Sequence, residues 1–89
     1  MTGSGSILVI KSGGNVGIGT TSPYAKLSIH ASAGETNATL FSIASSTMSG
    51  TSTLFTVLNN GYTGIRTANP VNPFEVWAGD GTYHLFDVT

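Results

Sequence analysis

His30 and His84 are the only imidazoles in this 89-residue sequence, so any acid–base chemistry near neutral pH starts with them. Nucleophilic hydrolysis would couple one of them to a hydroxyl, and serine and threonine are plentiful. The sequence has no Gly-x-Ser-x-Gly elbow, however, and neither histidine has an acid at a suggestive spacing. His30 aligns with Trp77 in the repeat described below, which suits a stacking or surface position. Glu75, Asp80, His84 and Asp87 gather loosely near one end of the sequence. Calcium ligands usually alternate closely around a glycine; Asp80-Gly81 supplies one such oxygen and reads as a turn. The other route to a cation site is three copies of His30, His84 or Asp87 meeting on a symmetry axis. No catalytic, cofactor-binding or metal-binding residue is assigned, and the chain is expected to be no enzyme and to need no cofactor.

Two further patterns invite a ligand. Gly17-Ile18-Gly19-Thr20-Thr21-Ser22 grazes the dinucleotide fingerprint, but Ser22 stands where the third glycine belongs. Pro23 follows where a helix should open, so the stretch reads as tight turns. Trp77, Tyr83 and Tyr24 are amphipathic rings of the kind that stack on sugars, and they equally suit gaps between packed repeats. Trp77 and Tyr83 are the candidate glycan contacts. Asn37-Ala38-Thr39 is a glycosylation sequon, with meaning only in a chain that meets a glycosylating secretory pathway.

The elements that would position these residues must be built from unusual material. Nearly half of the chain is Gly, Ser, Thr or Asn, 8% is charged, and the net charge is -1; an ordinary domain is about 25% charged. Three basic residues, Lys11, Lys26 and Arg66, make no footprint for nucleic acid. The longest apolar run, Ile7 to Ile10, is far below the roughly 20 residues of a membrane span. Without cysteine there is no disulfide framework and no thiolate site. Strong helix formers are scarce beside β-branched residues and breakers. A chain this small buries too little surface to be secure alone, which favours an oligomer.

Sliding the sequence on itself by 47 residues brings a second copy into view. Ile7 to Ile10 falls on Leu54-Phe55-Thr56-Val57, and Gly17-Ile18 on Gly64-Ile65. Thr20 meets Thr67, Pro23 meets Pro70, and Leu27-Ser28-Ile29 lies over Phe74-Glu75-Val76. A shorter echo, Leu-Phe-polar-β-branched, occurs at Leu40 to Ile43, Leu54 to Val57 and Leu85 to Val88. The expected division is a flexible linker or tag at 1–6, unit 1 at 7–53, unit 2 at 54–84, and the start of a third unit at 85–89, as in a piece of a longer array.

Each Leu-Phe-x-Val run alternates with the period of a strand, Phe and Val on one face and Leu on the other. Ser12 to Asn15 and Asn59 to Tyr62 carry turn chemistry, with Asn60-Gly61 the stronger signal. Very short strands follow around Gly17-Ile18 and Gly64-Ile65. Pro23 and Pro70 interrupt them, and further strands are expected at Leu27 to Ile29 and Phe74 to Trp77. The Ser/Thr-rich stretch Ala44 to Thr53 is expected to be a long hairpin or a crossover loop. Gly17, Gly19, Pro23, Gly61, Gly64 and Pro70 would set the turns, and Gly17, Gly19 and Gly64 also fit a close backbone approach. The fold class is therefore all-β, with strands of three to five residues.

The run Gly14-Asn15-Val16-Gly17-Ile18-Gly19-Thr20-Thr21-Ser22-Pro23, followed by Leu27-Ser28-Ile29, resembles a repeat of bacteriophage tail-fibre and related bacterial fibre proteins. Those chains often end in an endosialidase-type intramolecular chaperone domain. Leu54 to Gly61 resembles the lead-in to the same motif. The second copy departs from it with Thr63 for Val16 and Arg66 for Gly19. The resemblance implies an elongated, intertwined β-structure, a parallel homotrimer forming a fibre shaft on a virion or other extracellular surface. Ile18, Leu27, Ile29, Phe55, Val57, Ile65, Phe74 and Val76 would then be its assembly core. The partner is expected to be the chain itself, with neither nucleic acid nor membrane involved. Two alternatives stand beside this: an adhesin segment that binds surface glycan, and a self-assembling filament whose subunits join by adding terminal β-strands.

Overall fold

The structure, a computed structural model, describes residues 7–78 and 83–89. The sequence expectations for the linker at 1–6 and for Asp80-Gly81 lie outside these residues. The described residues are all-β with no helix. Eight strands follow one another: β1 (Leu8–Ile10), β2 (Val16–Ile18), β3 (Leu27–Ile29), β4 (Thr39–Thr47), β5 (Gly50–Leu58), β6 (Thr63–Ile65), β7 (Phe74–Trp77) and β8 (His84–Val88). They form a three-stranded sheet in the order β1-β2-β3 and a five-stranded sheet in the order β4-β5-β6-β7-β8. The chain divides into two units, Met1–Thr36 and Asn37–Thr89, one sheet in each.

The 47-residue offset maps the pairing of the first sheet onto the second, residue for residue. In the first, Leu8, Val9 and Ile10 lie antiparallel to Ile18, Gly17 and Val16. In the second, Phe55, Thr56 and Val57 lie antiparallel to Ile65, Gly64 and Thr63. The parallel pairs Val16–Leu27, Gly17–Ser28 and Ile18–Ile29 become Thr63–Phe74, Gly64–Glu75 and Ile65–Val76.

The turns correspond as well. Gly14 N–H donates to Lys11 O at 2.8 Å and Gly61 N–H to Leu58 O at 2.9 Å. The two glycines have φ of 92° and 89°. Each turn is therefore a three-residue hairpin loop with glycine at the left-handed position. Asn60 is not left-handed, contrary to the simple Asn-Gly reading. Its Oδ1 instead accepts the Tyr62 N–H at 2.9 Å, the local side-chain bond that makes asparagine a turn residue.

Each parallel pair is joined by a short crossing loop, 19–26 or 66–73, that lies on one face of its sheet. The central glycine of β2 or β6 permits this. A Cβ on Gly17 would meet Thr20 O at 2.5 Å and Pro23 Cβ at 3.3 Å, and one on Gly64 would meet Thr67 Cγ2 at 2.5 Å and Pro70 Cβ at 3.3 Å. Gly17 and Gly64 thus lie inside strands and not at turns; their second expected role, close backbone approach, is the one observed. Pro23 and Pro70, within these loops, are buried against the central glycines of the sheets.

The stretch Ala44 to Thr53 is the long hairpin of the two expected alternatives and not a crossover loop, with its turn at 48–49. β4 and β5 run through it as a hairpin of nine-residue strands, closed where Thr47 Oγ1–H donates to Gly50 O at 2.9 Å. These strands exceed the three to five residues expected. Alternating serine and threonine suit a ladder whose two faces both meet water, as the exposure of this stretch requires.

Candidate functional site

Partners in register share a face of the sheet, so the pairing sorts every strand residue. One face of the five-stranded sheet carries the polar row Ser42–Thr56–Gly64–Glu75–Asp87, and the other carries Ile43–Phe55–Ile65–Val76–Phe86 and Phe41–Val57–Thr63–Phe74–Val88. The crossing loop covers the middle of the polar row, Thr56, Gly64 and Glu75, while Ser42 and Asp87 at its two ends are exposed. Thr56 is 1% exposed and Glu75 0%, whereas Phe86 is 54% exposed on the other face. The first sheet repeats this arrangement. Its row Val9–Gly17–Ser28 lies under the loop, and Leu8, Ile10, Val16, Ile18, Leu27 and Ile29 share the open face.

Glu75 is the hub of the polar face. Its Oε2 accepts the N–H groups of Val71 at 2.5 Å and Asn72 at 2.7 Å, and its Oε1 accepts Trp77 Nε1–H at 2.8 Å. Burial pushes this carboxyl up. The Trp77 hydrogen bond, the two backbone hydrogen bonds and the nearby His84 outweigh burial and hold it below its ordinary value. A buried glutamate needs such partners.

His84 stands between two carboxylates. Nδ1 pairs with Asp87 Oδ2, and Nε2 lies 3.8 Å from Glu75 Oε1. The ring is edge-on to Trp77, with centroids 4.1 Å apart. Glu75, His84 and Asp87 each offer one ligand atom within a 4.8 Å cluster. The geometry suits a bridging histidine better than a metal centre. The two carboxylates lie nearest different ring nitrogens, and Glu75 already accepts three N–H groups. Asp87 thus takes one ring nitrogen, and Glu75 is the carboxylate near the other.

The sequence-derived residues distribute as follows. Ile18, Leu27 and Ile29 share the open face of the first sheet, and Phe55, Val57, Ile65, Phe74 and Val76 that of the second. Gly61 sits at a hairpin turn. Gly19, with φ of 79°, opens a crossing loop, and a Cβ there would run into the His30 carbonyl. Trp77 and Tyr83 flank the β7–β8 connection, where Ala78 N–H donates to Tyr83 O at 2.8 Å. Tyr83 is exposed, but Trp77 is half-buried, with its N–H committed to Glu75 and its ring against His84. His30 is exposed and edge-on to Tyr24.

A cleft of about 410 Å³ opens elsewhere in the second unit, with Asn37, Thr39, Tyr62 and Asn69 among its walls. Its walls come from three separated segments of the chain, so no spacing in the sequence marks it. The buried role of Glu75 was also missed, although its place opposite Ser28 in the repeat, between Phe74 and Val76, marked it as facing the other way. No protein-family model and no curated protein matches this sequence.

Proposed function

We propose that the chain is a non-enzymatic structural module, a β-repeat segment of a fibre shaft of the phage tail-fibre kind, acting through parallel association of three copies. The observation that carries this reading is the inverted distribution of side chains. Each sheet covers with its own crossing loop a row of small or polar residues, Gly17 and Ser28 beside Val9 in one and Thr56, Gly64 and Glu75 in the other, and turns an apolar face outward, including Ile18 and Leu27 on one sheet and Phe86 and Val88 on the other, all exposed. A lone soluble domain does the reverse, and contiguous apolar faces of this kind are association surfaces.

Three copies packed on these faces would bury Ile18, Leu27, Ile29, Phe55, Val57, Ile65, Phe74 and Val76 as a shared core. The low charge supports parallel packing in register, since like side chains of identical chains then meet without repulsion. Such a shaft would span distance on a virion or cell surface while another part of the assembly makes the recognition contact. Sedimentation equilibrium or mass photometry at micromolar concentration tests the reading. A mass of three chains or a multiple of three is expected, and Ile65→Asp, which puts a charge on the open face, should abolish the threefold association. A stable monomer of the unaltered chain overturns it.

A further inference from the structure

The offset that carries β1 onto β5 also shows where the two strands differ among the described residues. On β5 the outer edge is paired with β4: Phe41 stands opposite Val57, Ser42 opposite Thr56, and Ile43 opposite Phe55. β1 makes the inner pairing to β2 that β5 makes to β6, yet among the described residues no strand lies on its outer edge. Exposure records the difference. Phe55 and Val57 are half-buried, while their counterparts Leu8 and Ile10 are 56% and 73% exposed. The strand that would fill the edge exists in the same sequence. Leu85-Phe86-Asp87-Val88 repeats Leu40-Phe41-Ser42-Ile43, and β8 has an outer edge that is likewise unpaired among the described residues.

We propose that β1 takes β8 of a second copy as its outer strand, in the register that β4 adopts on β5. That register sets Ile10 opposite the partner's Phe86, Val9 opposite the partner's Asp87, and Leu8 opposite the partner's Val88. The apolar rows of the first sheet then run on into the added strand. Lys11 lies diagonal to the partner's Asp87 on the same face, within reach of a cross-strand charge pair. The ladder itself supplies the affinity, as in strand addition generally. The two surfaces differ, so the contact is head-to-tail and propagates into a filament or a ring. This goes beyond the shaft reading, because it uses strand edges and leaves the open faces unused.

The chain has no cysteine, so disulfide trapping reads the register directly. Directly opposed antiparallel residues fall within disulfide reach, and positions two residues out do not. Ile10→Cys chains mixed with Phe86→Cys chains should link into heterodimers under mild oxidation, and a chain carrying both changes should give a ladder of covalent multimers. Leu8→Cys with Val88→Cys should link equally, which covers the case in which losing the Phe86 ring, 5.8 Å from that of Phe74, loosens β8. Leu8→Cys with Phe86→Cys should stay unlinked. Asp87→Lys should lower the yield by up to about fivefold, and Lys11→Asp on the other chain should restore it. Linkage only between identical positions, only within one chain, or at no pair overturns the proposal. A mass of three chains or a multiple of three without mixed linkage removes edge addition alone, and mixed linkage in assemblies whose mass is no multiple of three removes the shaft reading alone.

Discussion

Glu75 occupies in β7 the place that Ser28 occupies in β3, and each fastens the loop crossing above it. Ser28 Oγ accepts the Ala25 N–H at 3.2 Å, and Glu75 Oε2 accepts the N–H of Asn72, the residue 47 positions beyond Ala25, at 2.7 Å. The longer carboxylate adds Val71 and Trp77 to the same anchor. Glu75→Ala leaves three N–H groups without their acceptor in a buried site, and should destabilise the fold by about 3 kcal/mol or more. Urea unfolding followed by tryptophan fluorescence measures this, since Trp77 is the only tryptophan. A loss below about 1 kcal/mol would mean that the strap is not held by this side chain.

The same anchor makes stability sensitive to acid. The Glu75 carboxyl is held below its ordinary value, so the folded state binds its proton less readily than the unfolded chain. Its contribution is therefore full above the ordinary glutamate value of about 4.3 and falls away as the pH drops through the lower folded value. Unfolding midpoints of the unaltered chain should decline across that window. Those of Glu75→Gln should be lower at neutral pH and flatter below it. Parallel curves for the two proteins would exclude Glu75 as the source.

Arg66 and Gly19 occupy one repeat position with opposite fitness for it. Both have left-handed backbone, φ 66° for the arginine and 79° for the glycine, and both donate N–H to a carbonyl at one shared repeat position, Leu54 O within β5 and Ile7 O just before β1, each at 3.0 Å. The arginine bears the left-handed cost of roughly 1–2 kcal/mol. Arg66→Gly should raise stability by about 0.5–1 kcal/mol after the entropy of glycine is deducted. Gly19→Ala should lower it by more, because its Cβ also meets the His30 carbonyl. Equal signs for the two substitutions in thermal unfolding would refute the shared backbone requirement.

Much of this fold is legible from the alignment of the sequence with itself. The strands at Leu27 to Ile29 and Phe74 to Trp77 lie where Pro23 and Pro70 imply, and the shared register follows from Gly17 and Gly64 keeping their spacing. The Ala44 to Thr53 stretch was harder to read because serine and threonine serve loops and exposed ladders alike. The placement of Glu75 needed the crossing loop, whose path over the sheet no periodicity encodes. The His84 bridge depends on β8 folding back on β7 across an irregular register between Val76 and Trp77, which spacing in the chain does not specify.

Thr56 shows where the second unit departs from the first at a cost. Its side chain is buried in the polar row between Ser42 and Gly64, and its Oγ1 has no hydrogen-bond partner. The first unit places Val9 at this position, opposite Gly17. Valine has nearly the same shape and no hydroxyl, so Thr56→Val removes an unsatisfied buried group without opening a cavity. The change should stabilise the fold by about 1–2 kcal/mol, whereas Val9→Thr should give no comparable gain. Urea unfolding of both variants at neutral pH decides the matter. A Thr56→Val protein no more stable than the unaltered chain would mean that the hydroxyl finds a partner in solution, an ordered water being the simplest.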